Sequence, residues 1–147
     1  MTTELRIIPV KNIGEIDPGV DLGVRIYDAL AQQSLAVQQG DIFVVTQKVV
    51  SKAEGRLVQL GEIEASPFAL AYAQQYDKDA QHIEVVLRES KRIVRMDHGV
   101  LICETQHGFI CANAGVDESN VGGERQLALL PIDSDHSAQQ LRTRLQQ

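Results

Sequence analysis

Ile42-Phe43-Val44-Val45 runs directly into Thr46-Gln47-Lys48-Val49-Val50-Ser51-Lys52-Ala53-Glu54-Gly55-Arg56, and this change from apolar to polar decides how the chain reads. Continuous apolar residues between Asp41 and Val45 predict a strand covered on both faces. The polar string after it is then carried to a sheet rim, where open sheets bind ligands. A second passage repeats the pattern, Phe109-Ile110-Cys111-Ala112 leading into Asn113-Ala114-Gly115-Val116-Asp117-Glu118-Ser119-Asn120. The first string supplies cations for phosphate. The second supplies Asp and Asn, hard oxygen ligands for magnesium or manganese. Together they suggest a metal-nucleotide site.

Working outward, Leu5-Arg6-Ile7-Ile8-Pro9-Val10 reads as an opening strand whose proline places its end on a sheet edge. Asp17-Pro18-Gly19 signals a turn. Leu22, Ile26, Tyr27, Leu30 and Ala31 recur at helical spacing behind Asp21 as N-cap. Ser66-Pro67 starts a helix filled by Phe68, Leu70, Ala71 and Ala73. Asp79 to Lys91 predicts another helix, with Ile83, Val86 and Leu87 on its apolar face. Short strands are expected at Arg92 to Met96, Val100 to Glu104 and Phe109 to Ala112, with a further one at Leu127 to Leu130. A last helix runs from Ser134-Asp135 through Ala138, Leu141 and Leu145. Strict βαβ alternation is missing, so the class expected is α+β: a mixed sheet with flanking helices.

At 147 residues the length is that of one domain. A net charge of −6 disfavours non-specific nucleic-acid binding, which needs a basic footprint. A local lysine cluster can still hold a small anion. No apolar run reaches the roughly 18 residues of a membrane span, and Met1-Thr2-Thr3-Glu4 has no signal-peptide character. The expected location is cytoplasmic, with no nucleic-acid or membrane partner. Cys103 and Cys111 fall on one predicted hairpin turning at Gln106-His107-Gly108. A two-residue loop would pair Cys103 with Ile110, and a three-residue loop would set the thiols opposite each other. Reduced, buried cysteines are expected.

Lys48 and Lys52, four apart, share one face if Val49 to Gly55 is helical. A strand-to-helix junction of that kind suits a polyphosphate, although two solvated lysines would show the same spacing. Ser51, Glu54, Gly55 and Arg56 around them set the string apart. Gly115 permits a positive φ that would point Asp117 back towards the strand ends. The competing reading is an Asx turn in which Asp117 only satisfies backbone amides. His82, His98, His107 and His136 read as turn or surface residues. Glu84, Glu89, Arg88 and Lys91 read as pairs on one helix face, and Gly122-Gly123 as a flexible turn. No Walker loop, Ser-His-Asp or Cys-His system is present, and no catalytic residue can be named.

Val50-Ser51-Lys52-Ala53-Glu54-Gly55-Arg56 and Asn113-Ala114-Gly115-Val116-Asp117-Glu118-Ser119-Asn120-Val121 resemble the coenzyme F420:L-glutamate ligase family. So do Val85-Val86-Leu87-Arg88-Glu89-Ser90 and Leu129-Leu130-Pro131-Ile132-Asp133-Ser134-Asp135-His136-Ser137-Ala138, in the same order along essentially the whole chain. The resemblance implies a GTP-dependent γ-glutamyl ligase with magnesium or manganese. Such an enzyme phosphorylates the carboxylate of a coenzyme F420 precursor, and the amine of L-glutamate then displaces phosphate. It implies nucleotide contacts from Gln47, Lys48, Lys52 and Asn120, and from Ile13-Gly14-Glu15-Ile16 mainly through backbone. It implies Asp117 as a metal ligand, and an intertwined homodimer.

One departure qualifies these implications. Family members continue beyond the equivalent of Gln147 into a Ser-Asp-Thr-x-Gly-Arg-type segment that completes the site. The chain therefore reads as the N-terminal portion, residues 1–147, of a γ-glutamyl ligase domain, inactive alone. The alternatives are a non-catalytic nucleotide-binding or assembly module of the same fold, and a ligase for another carboxylate.

Overall fold

The computed structural model describes residues 4–121 and 124–146. Residues 1–3, 122, 123 and 147 lie outside the described residues, and with them the turn expected at Gly122-Gly123; the side chain of Asn120 lies outside them too. The chain divides into two compact units, Met1–Gly55 with Ile132–Gln147, and Arg56–Pro131.

The second unit, Arg56–Pro131, holds all the sheet structure found among the described residues. Its first strand is β1 (Leu57–Gln59). Two helices follow, α3 (Pro67–Tyr76) and α4 (Ala80–Arg88), numbered after two helices of the other unit. Ser66 caps α3 by accepting from the Ala69 amide, with Pro67 in the first turn, and Asp79 caps α4 by accepting from the His82 amide. The strands β2 (Ser90–Asp97), β3 (Val100–Thr105) and β4 (Ile110–Ala112) form one antiparallel sheet. Strands β5 (Asp117–Val121) and β6 (Glu124–Ala128) join β1 in a second antiparallel sheet of order β1-β6-β5. One core runs through the unit. Val86, Leu101, Cys103 and Leu127 are fully enclosed, with Ile83, Val116 and Leu129 around them.

The α+β class holds, but the single mixed sheet gives way to two wholly antiparallel sheets. Strand β2 begins at Ser90, so the helix expected to run to Lys91 stops at Arg88. Only Arg88–Glu84 of the expected helix-face pairs forms (2.9 Å); Lys91 reaches Glu104 across the sheet and Glu89 turns to Arg56. Residues Asp117 to Asn120, expected in a loop, lie on β5. Asp-Glu-Ser-Asn carries no apolar alternation, and it is held as a strand only because it forms the sheet edge against β6. The hairpin between β3 and β4 takes the three-residue loop, with Gly108 at φ 86°, and so sets Cys103 opposite Cys111. Both thiols are free: Cys103 is buried and Cys111 half-buried.

In the unit formed by Met1–Gly55 and Ile132–Gln147 the described elements are helices: α1 (Leu22–Gln32), α2 (Gln47–Ala53) and α5 (Ser134–Leu145). Asp21 caps α1 by accepting from the Val24 amide at 3.0 Å, as its position before the periodic run predicts. Gly55, at φ 68°, ends the α2 segment in the left-handed conformation that favours glycine. Ile26, Leu30 and Leu145 form one cluster with Val10, Phe43 and Val45; Ile16, Leu22 and Val50 form another.

Neither Leu5 to Val10 nor Asp41 to Val45 forms a strand. Phe43 and Val45 pack inward, while Ile42 and Val44 are 88% and 93% exposed. Strand hydrogen bonding needs a neighbouring strand, and among the described residues none lies beside either segment.

Candidate nucleotide and metal site

The lysine string forms a helix, but over Gln47–Ala53 rather than the Val49 to Gly55 on which the shared face depended. Lys48 stands in the first turn of α2 and Lys52 in the last, so the spacing of four puts both ammonium groups on one face. Ser51 between them is fully buried and accepts a hydrogen bond from Gln47 Nε2 at 2.7 Å, which fixes the Gln47 side chain along the helix. Val50 packs with Ile16 and Leu22, so the apolar side of α2 is turned into the unit.

The segment Ile13-Gly14-Glu15-Ile16 lies against the same helix. Ile16 is buried in the cluster with Val50, and Ile13 packs beside it. Asn12 and Gly14 take left-handed backbone angles, φ 63° and 74°. At Gly14 an L side chain would be strained. Glu15 projects into solvent and reaches Lys52, with Oε2 3.6 Å from Nζ. A pair with so exposed a carboxylate contributes little, and an anionic ligand could displace it. Seven of the predicted nucleotide residues, Ile13, Gly14, Glu15, Ile16, Gln47, Lys48 and Lys52, therefore belong to one unit.

Asp117 and Asn120 belong to the other. Asn113, Ala114 and Gly115 have φ of 50°, 51° and 72°, a run of left-handed residues closed by the Val116 amide donating to Asn113 O at 2.9 Å. Left-handed geometry is costly for alanine. Ala114 is buried there, and at Gly115 an added Cβ would be strained and would lie 2.9 Å from the Leu130 side chain. This strained turn delivers Asp117 as the first residue of β5, exposed and paired in register with Ala128.

Beside it, Arg125 donates to Asp79 at 2.7 Å and to Glu118 at 3.0 Å. Burial raises the pKa of Asp79, but the His82 amide and Arg125 outweigh it and hold the carboxyl below its ordinary value. His82, expected at a surface or turn, is instead half-buried on α4. Burial holds its imidazole pKa below the ordinary value against the nearby carboxylates of Glu118, Asp79 and Asp117. Among the described residues no group of three or more His, Cys, Asp or Glu side chains converges as a metal site. Asp117, an exposed carboxylate at the start of β5, is a group that could serve a magnesium ion, which usually takes one or two carboxylates and completes its shell with water and phosphate.

Residues 11–147 match the family described as F420-0:Gamma-glutamyl ligase. The coenzyme F420:L-glutamate ligase of Methanopyrus kandleri is 44% identical over 143 residues, covering 97% of this chain and 54% of the relative. The corresponding protein of Methanothermobacter thermautotrophicus is 40% identical over 97% of this chain and 56% of its own length. That of Archaeoglobus fulgidus is 36% identical over 96% and 54%. This chain belongs to the F420 γ-glutamyl ligase family. It spans about half the length of the curated relatives it matches.

Several residues of the family-like strings prove to be braces. Arg56 donates from Nε to the Leu130 carbonyl at 3.0 Å and from Nη2 to Glu89 at 3.1 Å, while its own carbonyl accepts from the Leu129 amide. One arginine thus ties the first, third and fourth strings together. Within the other unit, Ser137 Oγ donates to Glu54 Oε1 at 2.5 Å. Sequence reading missed these roles because the partners lie up to 83 positions apart. The signal available was the odd company of Glu, Gly and Arg directly after the lysines.

Proposed function

We propose that this chain is the nucleotide-facing portion of a GTP-dependent ligase that joins L-glutamate to a coenzyme F420 precursor. The observation that carries the reading is the lysine face of α2 with the Ile13–Ile16 segment packed beside it, in a chain of this family. A carboxylate is a poor acyl donor, and its charge repels an incoming phosphoryl group. Lys48 and Lys52 would neutralise the phosphates and hold them in place, with Gln47, Asn120 and the backbone around Gly14 orienting the nucleotide. Asp117 would hold magnesium or manganese, which supplies further charge neutralisation on the phosphates. The active assembly would be a homodimer containing the remaining length of the relatives, and this chain alone would not turn over.

Lys52→Ala tests the nucleotide reading. Calorimetric titration of the full chain with GTP and magnesium should show affinity at least about ten-fold weaker, as loss of a charge-assisted contact of roughly 1.5–3 kcal/mol requires. The Lys52 side chain is itself only 14% exposed, so Lys52→Met, which keeps the packed stem, should hold the melting temperature while showing the same loss of affinity. Unchanged GTP affinity would remove Lys52 from the site. Asp117→Asn tests the metal reading separately: a turn residue tolerates the swap, whereas a metal ligand loses its anionic oxygen. Magnesium-dependent GTP binding should then need a higher metal concentration, and superimposable metal titrations would end that assignment.

A further inference from the structure

Arg25 stands near the N-terminal end of α1, where the helix dipole disfavours a cation, and it is exposed. Its own helix does not neutralise it. The Asp21 carboxylate is taken by the Val24 amide and by Arg144. Asp28, three residues on, forms no pair with it, and among the described residues no group hydrogen-bonds or ion-pairs with the Arg25 guanidinium. What the guanidinium does meet is the backbone of Gly14: a Cβ at that position would lie 3.7 Å from Arg25 Nη1. Ile13 packs with Ile26 and Leu30, and Ile16 with Leu22, so the 13–16 segment is seated on α1 and its place beside Arg25 is fixed by packing. From α2, Lys52 reaches the next residue, Glu15, at 3.6 Å. Two cations on two helices thus flank Gly14-Glu15. The amides of Gly14 and Glu15, both exposed residues, donate to no protein acceptor among the described residues. Donors therefore outnumber acceptors here, since the Glu15 carboxylate is already engaged by Lys52.

We infer that Arg25 is a phosphate-binding residue of the nucleotide site, closing on the polyphosphate from α1 while Lys52 closes on it from α2. This rests on the reading of the lysine face as nucleotide-binding and adds to it a cation from another helix. A guanidinium presents a planar fork that matches two phosphate oxygens at once, which an ammonium cannot do. Gly14 lets the ligand approach the backbone, because it has no side chain and its φ of 74° would strain any other residue. A polyphosphate offers acceptors alone, which is what a guanidinium, an ammonium and unengaged backbone amides together require.

The test titrates the full chain calorimetrically with GTP and magnesium, and separately with inorganic tripolyphosphate, comparing the parent with Arg25→Ala, Arg25→Lys and Lys52→Met. Arg25→Ala should weaken both probes by about ten-fold or more, with Arg25→Lys recovering only part of the loss. Its melting temperature should match the parent's, because the side chain is exposed. Unchanged affinities in Arg25→Ala, beside a loss in Lys52→Met, would overturn this inference and leave the nucleotide reading standing. A loss for GTP with none for tripolyphosphate would also overturn it, by assigning the guanidinium to the nucleoside. Unchanged affinities in both Arg25→Ala and Lys52→Met, or no binding of either probe by the parent, would overturn the inference together with the reading beneath it.

Discussion

In the unit Arg56–Pro131, β3 places Leu101 and Cys103 at 0% exposure, and β6 does the same for Leu127. In the other unit, the apolar run at 42–45 leaves Val44 at 93%. Both stretches are rich in β-branched and aliphatic residues, so composition does not separate them. What differs is company. β3 has β2 on one side and β4 on the other, with α4 over the core, whereas 42–45 has helices against one face and no strand beside it among the described residues. Apolar sequence becomes a strand when a second strand satisfies its backbone. A helical layer alone gives extended chain.

The largest contrast should appear in hydrogen exchange of the chain alone. Amides of Leu101, Cys103 and Leu127 should exchange only on global opening, at least about three orders of magnitude slower than those of 42–45, given a domain stability near 5 kcal/mol or more. Comparable rates would mean that the units do not differ as described. Next in size, Leu101→Ala should destabilise its unit by roughly 2–5 kcal/mol, through lost burial and a cavity, while Val44→Ala should stay within about 0.5 kcal/mol. Equal losses in urea melts would mean that Val44 is covered in the free chain.

A smaller effect belongs to the brace. Arg56→Ala should cost about 1.5–3 kcal/mol by leaving Glu89 and the Leu130 carbonyl unpaired. Arg56→Lys should recover only part of this, since ammonium lacks the guanidinium fork. The smallest is a pH effect. The hydroxyl and amide of Ser66, with Arg88, hold Glu84 below its ordinary value of 4.5. Its contribution should be full above that value and vanish as pH falls through the lowered folded value. Melting curves of Glu84→Gln and the parent should therefore differ at pH 7 and converge in acid. A constant gap would assign the effect to packing.

Local chemistry was legible from the chain itself. Asp21, Ser66 and Asp79 announce three helix starts, because a side-chain oxygen before a periodic run caps amides only three residues on. The helix bearing Lys48 and Lys52 and the left-handed turn at Gly115 are equally short-range. Tertiary structure decided what depends on distant partners. It chose between two hairpin loops and set Cys103 opposite Cys111. It made a strand of the polar run from Asp117 by pairing it with β6, and made braces of Arg56 and Glu54, which in the sequence only set the lysine string apart. It withheld strand structure from Asp41 to Val45 despite their apolar sequence. Caps and turns draw their hydrogen-bond partners from within four residues. A strand or a buried ion pair draws them from wherever the fold brings the chain together.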